Sequence, residues 1–208
     1  VNYHVSRNSV RNELLTSGLP LTRDTIYSEI HNLLMRPLYV SSSMANDTFV
    51  QEWAAEGEDN QAKIVEYLKT IKGEYDFFTT FFISTQTGRY YYYDGVLKTM
   101  SRKDSHDVWF YDFLESDDEY DLDVDTNEAA EGKLTIFVNY RVESSDGKLL
   151  GVTGVGLKMD QVAAMLKHVR EKYGRETYLV SHDGVIQVHS DPTLIEKANI
   201  LVLPGIET

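Results

Sequence analysis

The sequence predicts an α+β fold: a long N-terminal helical stem with two shorter helices, five antiparallel strand segments flanked by helices, and then a partial second, smaller module. Three observations carry this reading. Apolar residues from Thr22 onward recur at the helical period of about 3.6. From Tyr75 the chain turns aromatic and β-branched, the texture of strands. Ser145-Asp146-Gly147-Lys148 is a strong hairpin signal between two apolar runs.

In the first third, Ile26, Ile30, Leu33, Leu34, Leu38 and Met44 form one stripe. Thr22 with Asp24 is a start signal, and Pro37 is expected to kink or interrupt the run. With the polar segment Ser6 to Thr16 this makes a long, exposed stem. A second helix is expected from Asn46 or Asp47, carrying Phe49, Val50 and Trp53. A third runs from Asp59 to Lys72, with Ile64, Tyr67, Leu68 and Ile71 on one side and Gly73 as its stop.

Phe77 to Thr85 reads as a strand, Gln86 to Arg89 as a turn and Tyr90 to Tyr93 as the partner strand. Asp94-Gly95 opens an irregular stretch to about Ser105, followed by a short helix over Asp107 to Ser116. Strands are expected again at Tyr120–Val124, Leu134–Val142 and Leu149–Leu157. A helix from Asp160 to Tyr173 keeps Val162, Met165, Leu166, Val169 and Tyr173 in register and stops at Gly174. Thr177–Val180 and Val185–His189 form a last hairpin around His182-Asp183-Gly184, an echo of Phe81–Ser84 and its Thr87-Gly88 turn. A lone hairpin is marginal in water, so the natural protein is expected to continue past Thr208.

A length of 208 residues suits one large domain or a domain and a fraction, and 42% apolar with 12% aromatic residues supplies a packed core. Lys and Arg number 20 against 33 Asp and Glu, a net charge of −13. That leaves no basic face for phosphates, and no nucleic-acid partner is expected. The chain has no cysteine, which excludes disulfides, thiolate metal sites and a cysteine nucleophile. No apolar run approaches the ~18–20 residues that span a bilayer. Starting at Val1 with no signal peptide, the chain reads as an excised soluble fragment.

Most candidate chemistry reduces to structure. Asp121, Asp123, Asp125 and Asn127 have the alternate spacing of a calcium loop, but Thr126 stands where glycine is needed and Gly132 where a bidentate Glu is needed. On a strand the same spacing puts the carboxylates on the solvent face and Leu122 and Val124 inward, which is the preferred reading. Gly151, Gly154 and Gly156 precede a helix without the order or the βαβ context of a phosphate loop, and are assigned to tight packing of sheet against helix. Ser181, His182 and Asp183 are consecutive and cannot form a catalytic triad. His168 is an exposed helical residue. Paired acids for glycoside chemistry carry no information in so acidic a chain. No catalytic residue, metal site or cofactor is expected.

What remains is aromatic. Tyr90 to Tyr93, Trp109, Phe110, Tyr111, Phe113 and Tyr120 bracket the segment between strands. Four consecutive strand tyrosines send two hydroxyls to each face, and buried hydroxyls want partners. Apolar walls with a few polar groups are the composition of a small-molecule pocket, although core packing explains some of the same rings. The candidate ligand-binding set is Tyr92, Asp107, Trp109, Tyr111, Tyr120, Asn139 and Arg141.

The order of parts resembles double Cache sensor domains, also called PDC sensors. The residues that carry the resemblance are Gly88-Arg89-Tyr90-Tyr91-Tyr92, Trp109-Phe110-Tyr111-Asp112-Phe113 and Asp146-Gly147-Lys148-Leu149-Leu150-Gly151-Val152-Thr153-Gly154-Val155-Gly156-Leu157. The resemblance implies a PAS-like five-stranded sheet in a membrane-distal module over 74–160. It makes 1–73 the stem and helical segment, and 161–208 the linker helix and start of a smaller PAS-like proximal module. It further implies a periplasmic, non-catalytic receptor domain on the outer face of a bacterial inner membrane, tethered by flanking helices. Such a domain binds a small metabolite in the distal module, pairs as a homodimer through the stem, and regulates a histidine kinase, diguanylate cyclase or chemotaxis module.

Amino-acid-binding members carry Arg-x-Trp-Tyr-x-x-Ala, a later Tyr, and an Asp after the Gly-Val hairpin. Here Asp107 stands at the Arg position, Trp109 is retained, Phe110 and Phe113 replace Tyr and Ala, and Gly156 falls at the later Asp. If Arg141 faces the pocket a carboxylate fits, held bidentately; if Asp107 faces it, an amine fits. Alternation places Asn139 and Arg141 on one strand face and Val138 and Tyr140 on the other. The rival readings are a secreted acidic hydrolase and a structural module binding cations along Asp121 to Asp125.

Overall fold

A computed structural model describes residues 18–180, 184–195 and 197–202. The segment Ser6–Thr16 and the turn residues Ser181, His182 and Asp183 lie outside the described residues. The chain divides into two compact units, residues 37–163 and residues 1–36 with 164–208.

Helix α1 (Leu19–Ala45) is continuous through Pro37, which neither ends nor interrupts it. The missing proline N–H costs one helical bond. Packing of the next turns offsets that loss, because Val40, Met44 and Ala45 are buried and Ser41 Oγ donates to the Val138 carbonyl at 3.3 Å. Helix α2 (Thr48–Ala55) starts where Asp47 accepts from the Phe49 amide at 2.9 Å. Helix α3 (Gln61–Tyr75) runs through Gly73 and ends at Asp76, which takes the left-handed cap position at φ 54°. The stop expected at Gly73 therefore falls three residues later, on an aspartate, a residue that tolerates that conformation.

Strands β1 (Thr79–Ser84), β2 (Arg89–Tyr92), β3 (Gly95–Thr99), β4 (Tyr120–Asn127), β5 (Lys133–Glu143) and β6 (Leu149–Lys158) form one antiparallel sheet, in the order β3-β2-β1-β6-β5-β4. Among the described residues the sheet thus has six strands and not five. The stretch after Asp94-Gly95, expected to be irregular, pairs with β2 through Tyr90 with Lys98 and Tyr92 with Gly95, across a bulge at Tyr90/Tyr91. Asp-Gly is itself a hairpin signal, and here it acts as one.

Paired residues of neighbouring strands share a face. One row runs Phe81, Gly154, Asn139, Asp121; the next runs Phe82, Thr153, Tyr140, Tyr120. The second face meets the helices. Trp53 of α2 packs edge-on against Phe82 and Tyr91, with ring centroids 5.7 and 5.2 Å apart, and Thr80 Oγ1 donates to Leu68 of α3 at 2.7 Å. Glu58, buried at φ 63°, ties this side together by accepting from Tyr91 at 2.7 Å, from Thr87 at 2.8 Å and from Ser84.

The first face carries Phe81, Ile83, Tyr90 and Val152 against Phe110 and Phe113 of a short helix, α4 (Val108–Glu115). The β6 glycines are needed by the sheet and its rings, and not by an overlying helix. A Cβ on Gly154 would overlap the Val138 carbonyl oxygen, and one on Gly156 would lie 2.6 and 2.7 Å from the methyl groups of Thr79 and Thr135.

Helix α5 (Met159–Tyr173) is followed by Gly174 at φ 62°, as its spacing predicts, and leaves His168 exposed. In the smaller unit, Ile26, Leu166 and Val169 are buried, and Glu29 accepts from Tyr173 at 3.2 Å and pairs with Lys172 at 3.3 Å. Strands β7 (Leu179–Val180) and β8 (Ile186–Val188) form a two-stranded sheet there. Among the described residues, no helix is long and apolar enough to cross a membrane.

Candidate ligand-binding site

The site lies on the α4 side of the sheet. Asp104 accepts from the His106 amide at 3.0 Å and starts a 3₁₀ turn, Ser105–Asp107, that leads directly into α4. Trp109 projects from the first turn of α4 edge-on to Phe81, at 6.4 Å. Between this turn and the strands is a cavity walled by Tyr90, Leu97, Trp109 and Phe137. Its polar boundary is Asn139, Asn127, Asp123, Asp125 and Glu128, with Thr126 and His106 at the rim. The open volume is about 30 Å³, room for one or two waters.

Asn139 is 1% exposed, and among the described residues neither its amide nitrogen nor its oxygen has a partner. Asn127 is equally buried; its oxygen accepts from Ala129 at 3.0 Å while its nitrogen is unpartnered. Leaving such a group unsatisfied costs about 1–3 kcal/mol, a cost that a polar ligand would remove.

The local field is negative. Burial pushes the Tyr90 hydroxyl well above its ordinary pKa, and the charges of Glu128 and Asp125 push it the same way. Lys98 on β3 reaches Asp107 at 2.6 Å and pairs with Glu128, with Asp104 at 3.7 Å. Desolvation alone would lower the Lys98 pKa, but the hydrogen bonds to Asp107 and Glu128 outweigh it and the net shift is upward. Among the described residues, no group of three or more His, Asp or Glu side chains is placed to hold a metal ion.

Of the residues singled out from the sequence, Trp109 and Asn139 line this cavity. Tyr92 packs beside the aromatic cluster, and Tyr90 lines the space instead. Asp107 is buried behind the wall, accepting from the Ser101 amide at 2.7 Å as well as pairing with Lys98. Tyr111 lies under the Arg102 guanidinium at 4.3 Å, and Tyr120 stacks on Tyr140 at 5.8 Å on the opposite sheet face. Arg141 is spent on backbone. It donates to the carbonyls of Asp118 at 2.7 Å, Phe113 at 2.8 Å and Leu114 at 3.1 Å, and to that of Ser116. Together with Tyr140, Glu119 and Glu143 it borders a separate open hollow.

Strand alternation places the β4 acids on a solvent face with Leu122 and Val124 inward. Val124 is buried, but Leu122 is 45% exposed, and Asp123 and Asp125 are half-buried against the cavity with Asn127 fully buried. The first half of this edge strand is exposed on both faces, so alternation alone does not decide what is inward there. The signal that was available is Asn127, an uncharged residue continuing the acidic alternation toward the sheet interior.

No family model matches the chain. Its fold is that of chemoreceptor sensory domains. The ligand-binding domain of the Pseudomonas aeruginosa amino acid chemoreceptor PctC, solved with GABA, superposes with a TM-score of 0.64 at 20% identity, over 86% of this chain and 78% of that one. The ligand-binding domain of the Pseudomonas fluorescens chemoreceptor CtaA with L-leucine gives 0.66 at 21% identity, over 92% and 76%. That of the P. aeruginosa chemoreceptor PctB with L-Arg gives 0.66 at 21%, over 89% and 75%. The α+β class and the resemblance read from the sequence are matched in architecture by these structures.

Proposed function

We propose that this chain is the extracytoplasmic ligand-sensing domain of a bacterial transmembrane receptor, non-catalytic itself, binding a small metabolite between α4 and the sheet. The observation that carries the reading is Asn139: a buried carboxamide with no partner on either atom, facing a cavity walled by Tyr90, Trp109 and Phe137. The fold shared with chemoreceptor ligand-binding domains supports it. In this reading the chain is periplasmic, is tethered by membrane helices, and pairs as a homodimer through its N-terminal helix. Sensing is assigned to the distal module of residues 74–160. Because the cavity holds no more than one or two waters, a ligand acts by favouring an expanded packing of α4 on the sheet. The resulting shift cannot exceed the ligand's differential affinity for the two packings.

The test is a thermal-shift screen of small amines, acids, amino acids and sugars. A one-site ligand at about 100 times its Kd adds ~2.7 kcal/mol, a rise of roughly 5–10 °C for a chain of this size. A hit that Asn139→Leu abolishes supports the reading. A screen without hits, or hits that survive Asn139→Leu and Trp109→Ala undiminished, overturns it.

A further inference from the structure

The cavity's charge is one-sided. Asp123, Asp125 and Glu128 border it, and the nearby cations are already committed. Lys98 is paired with Asp107 and Glu128, and Arg141 spends Nε and Nη2 on backbone carbonyls away from the cavity, whose lining it does not join. His106 turns Nδ1 toward Asp104 at 3.3 Å. Three of the residues lining the cavity are Asp or Glu and none is Lys or Arg, so a ligand carboxylate placed here would meet a repulsive arrangement.

An ammonium group meets the opposite environment. The Lys98 side chain is an alkylammonium, and it already sits between Glu128 and Asp107, so the chain itself demonstrates which ion this region holds. Tyr90 and Trp109 add aromatic rings to the lining, a class of side chain that attracts cations. The unpartnered Asn139 carboxamide offers one acceptor and two donors on the same wall, and Asn127 offers a further donor.

Resting on the assignment of this cavity as the sensing site, we infer that its ligand is a compact amine lacking a carboxylate, its ammonium held at Asp125, with the Lys98-paired Glu128 as a second carboxylate of the lining, and its second polar group held by Asn139. This separates the chain from the matched structures solved with L-leucine and L-Arg, each of which brings a carboxylate.

Calorimetric titration of the full chain at fixed ionic strength tests the inference with three probe classes: ethanolamine and 1,4-diaminobutane, propionate, and L-alanine. The amines are expected to bind at least tenfold more tightly than propionate or L-alanine. Asp125→Asn is expected to weaken the amine about tenfold, whereas Asp146→Asn, which removes one charge from a remote turn, leaves it unchanged. Equal or tighter binding of propionate or L-alanine overturns the inference and leaves the sensing site standing. An amine affinity that Asp125→Asn does not alter, or that Asp146→Asn lowers equally, reduces it to general attraction by an acidic protein. Binding by none of the three overturns the inference; if the metabolite screen is also empty, the sensing site falls with it.

Discussion

The ammonium of Lys98, on the edge strand β3, lies 2.6 Å from the carboxylate of Asp107, which is 1% exposed at the start of α4. This pair joins two elements that both border the candidate site: the strand carrying Leu97 and the turn carrying His106 and Trp109. The cost of burying Asp107 is met by this contact and by the Ser101 amide.

Lys98→Met should therefore destabilise the protein. The buried carboxylate loses its counter-ion, at a cost of about 2 kcal/mol, or roughly 4–8 °C in Tm for this chain length. Calorimetric melting of the variant measures it, and adding Asp107→Asn should recover part of the loss. A Lys98→Met protein melting with wild type would show that the pair stabilises nothing.

The same pair sets an alkaline dependence. The folded pKa of Lys98 is raised above its ordinary 10.5. Its stabilisation is thus present in full below that value and is lost as pH rises through the higher folded value. Urea midpoints of wild type and Lys98→Met should differ by a constant amount from neutral pH to about 10 and converge above it. Buried tyrosines also weaken the fold at alkaline pH, but equally in both proteins, so the difference isolates the lysine.

Arg141→Ala should act on stability and not on ligand affinity. Its guanidinium satisfies carbonyls at the end of α4 and just beyond, and losing them should cost about 2 kcal/mol. Arg141→Lys should restore little, since an ammonium lacks the planar fork that reaches several carbonyls at once. Denaturant melts paired with ligand titration decide the matter. Lost binding at an unchanged melting point would move Arg141 into the site.

Two glycines should respond in opposite directions. Gly73 is exposed inside α3 with nothing within 4 Å of an added Cβ, so Gly73→Ala should stabilise by about 1 kcal/mol. Gly154→Ala drives a methyl group into the Val138 carbonyl and should cost about 3 kcal/mol or more. Urea unfolding of the two variants measures both signs.

Most of the fold was legible because its signals are local. The α5 stripe with Gly174, the Asp146-Gly147 hairpin and the aromatic strands all specify themselves within a few residues. The site was legible only in part. Trp109 and Asn139 could be named, but which polar groups pair with one another depends on contacts across the sheet. Asp107 was taken by Lys98 and Arg141 by the α4 carbonyls, and neither partner is a near neighbour in sequence. The edge strands were hardest, since β3 and the first half of β4 are too exposed for hydrophobic alternation to mark them.

Among the described residues, strand β4 ends the sheet, leaving a row of backbone amides and carbonyls without a neighbouring strand. Asp121, Asp123 and Asp125 along it repel any incoming strand of the same acidic protein, the usual protection of such a border against aggregation. Under the proposed function, Asp123 and Asp125 would serve both recognition and solubility. Neutralising all three at once would invite fibrous self-association, so ligand selectivity here is best re-engineered one carboxylate at a time.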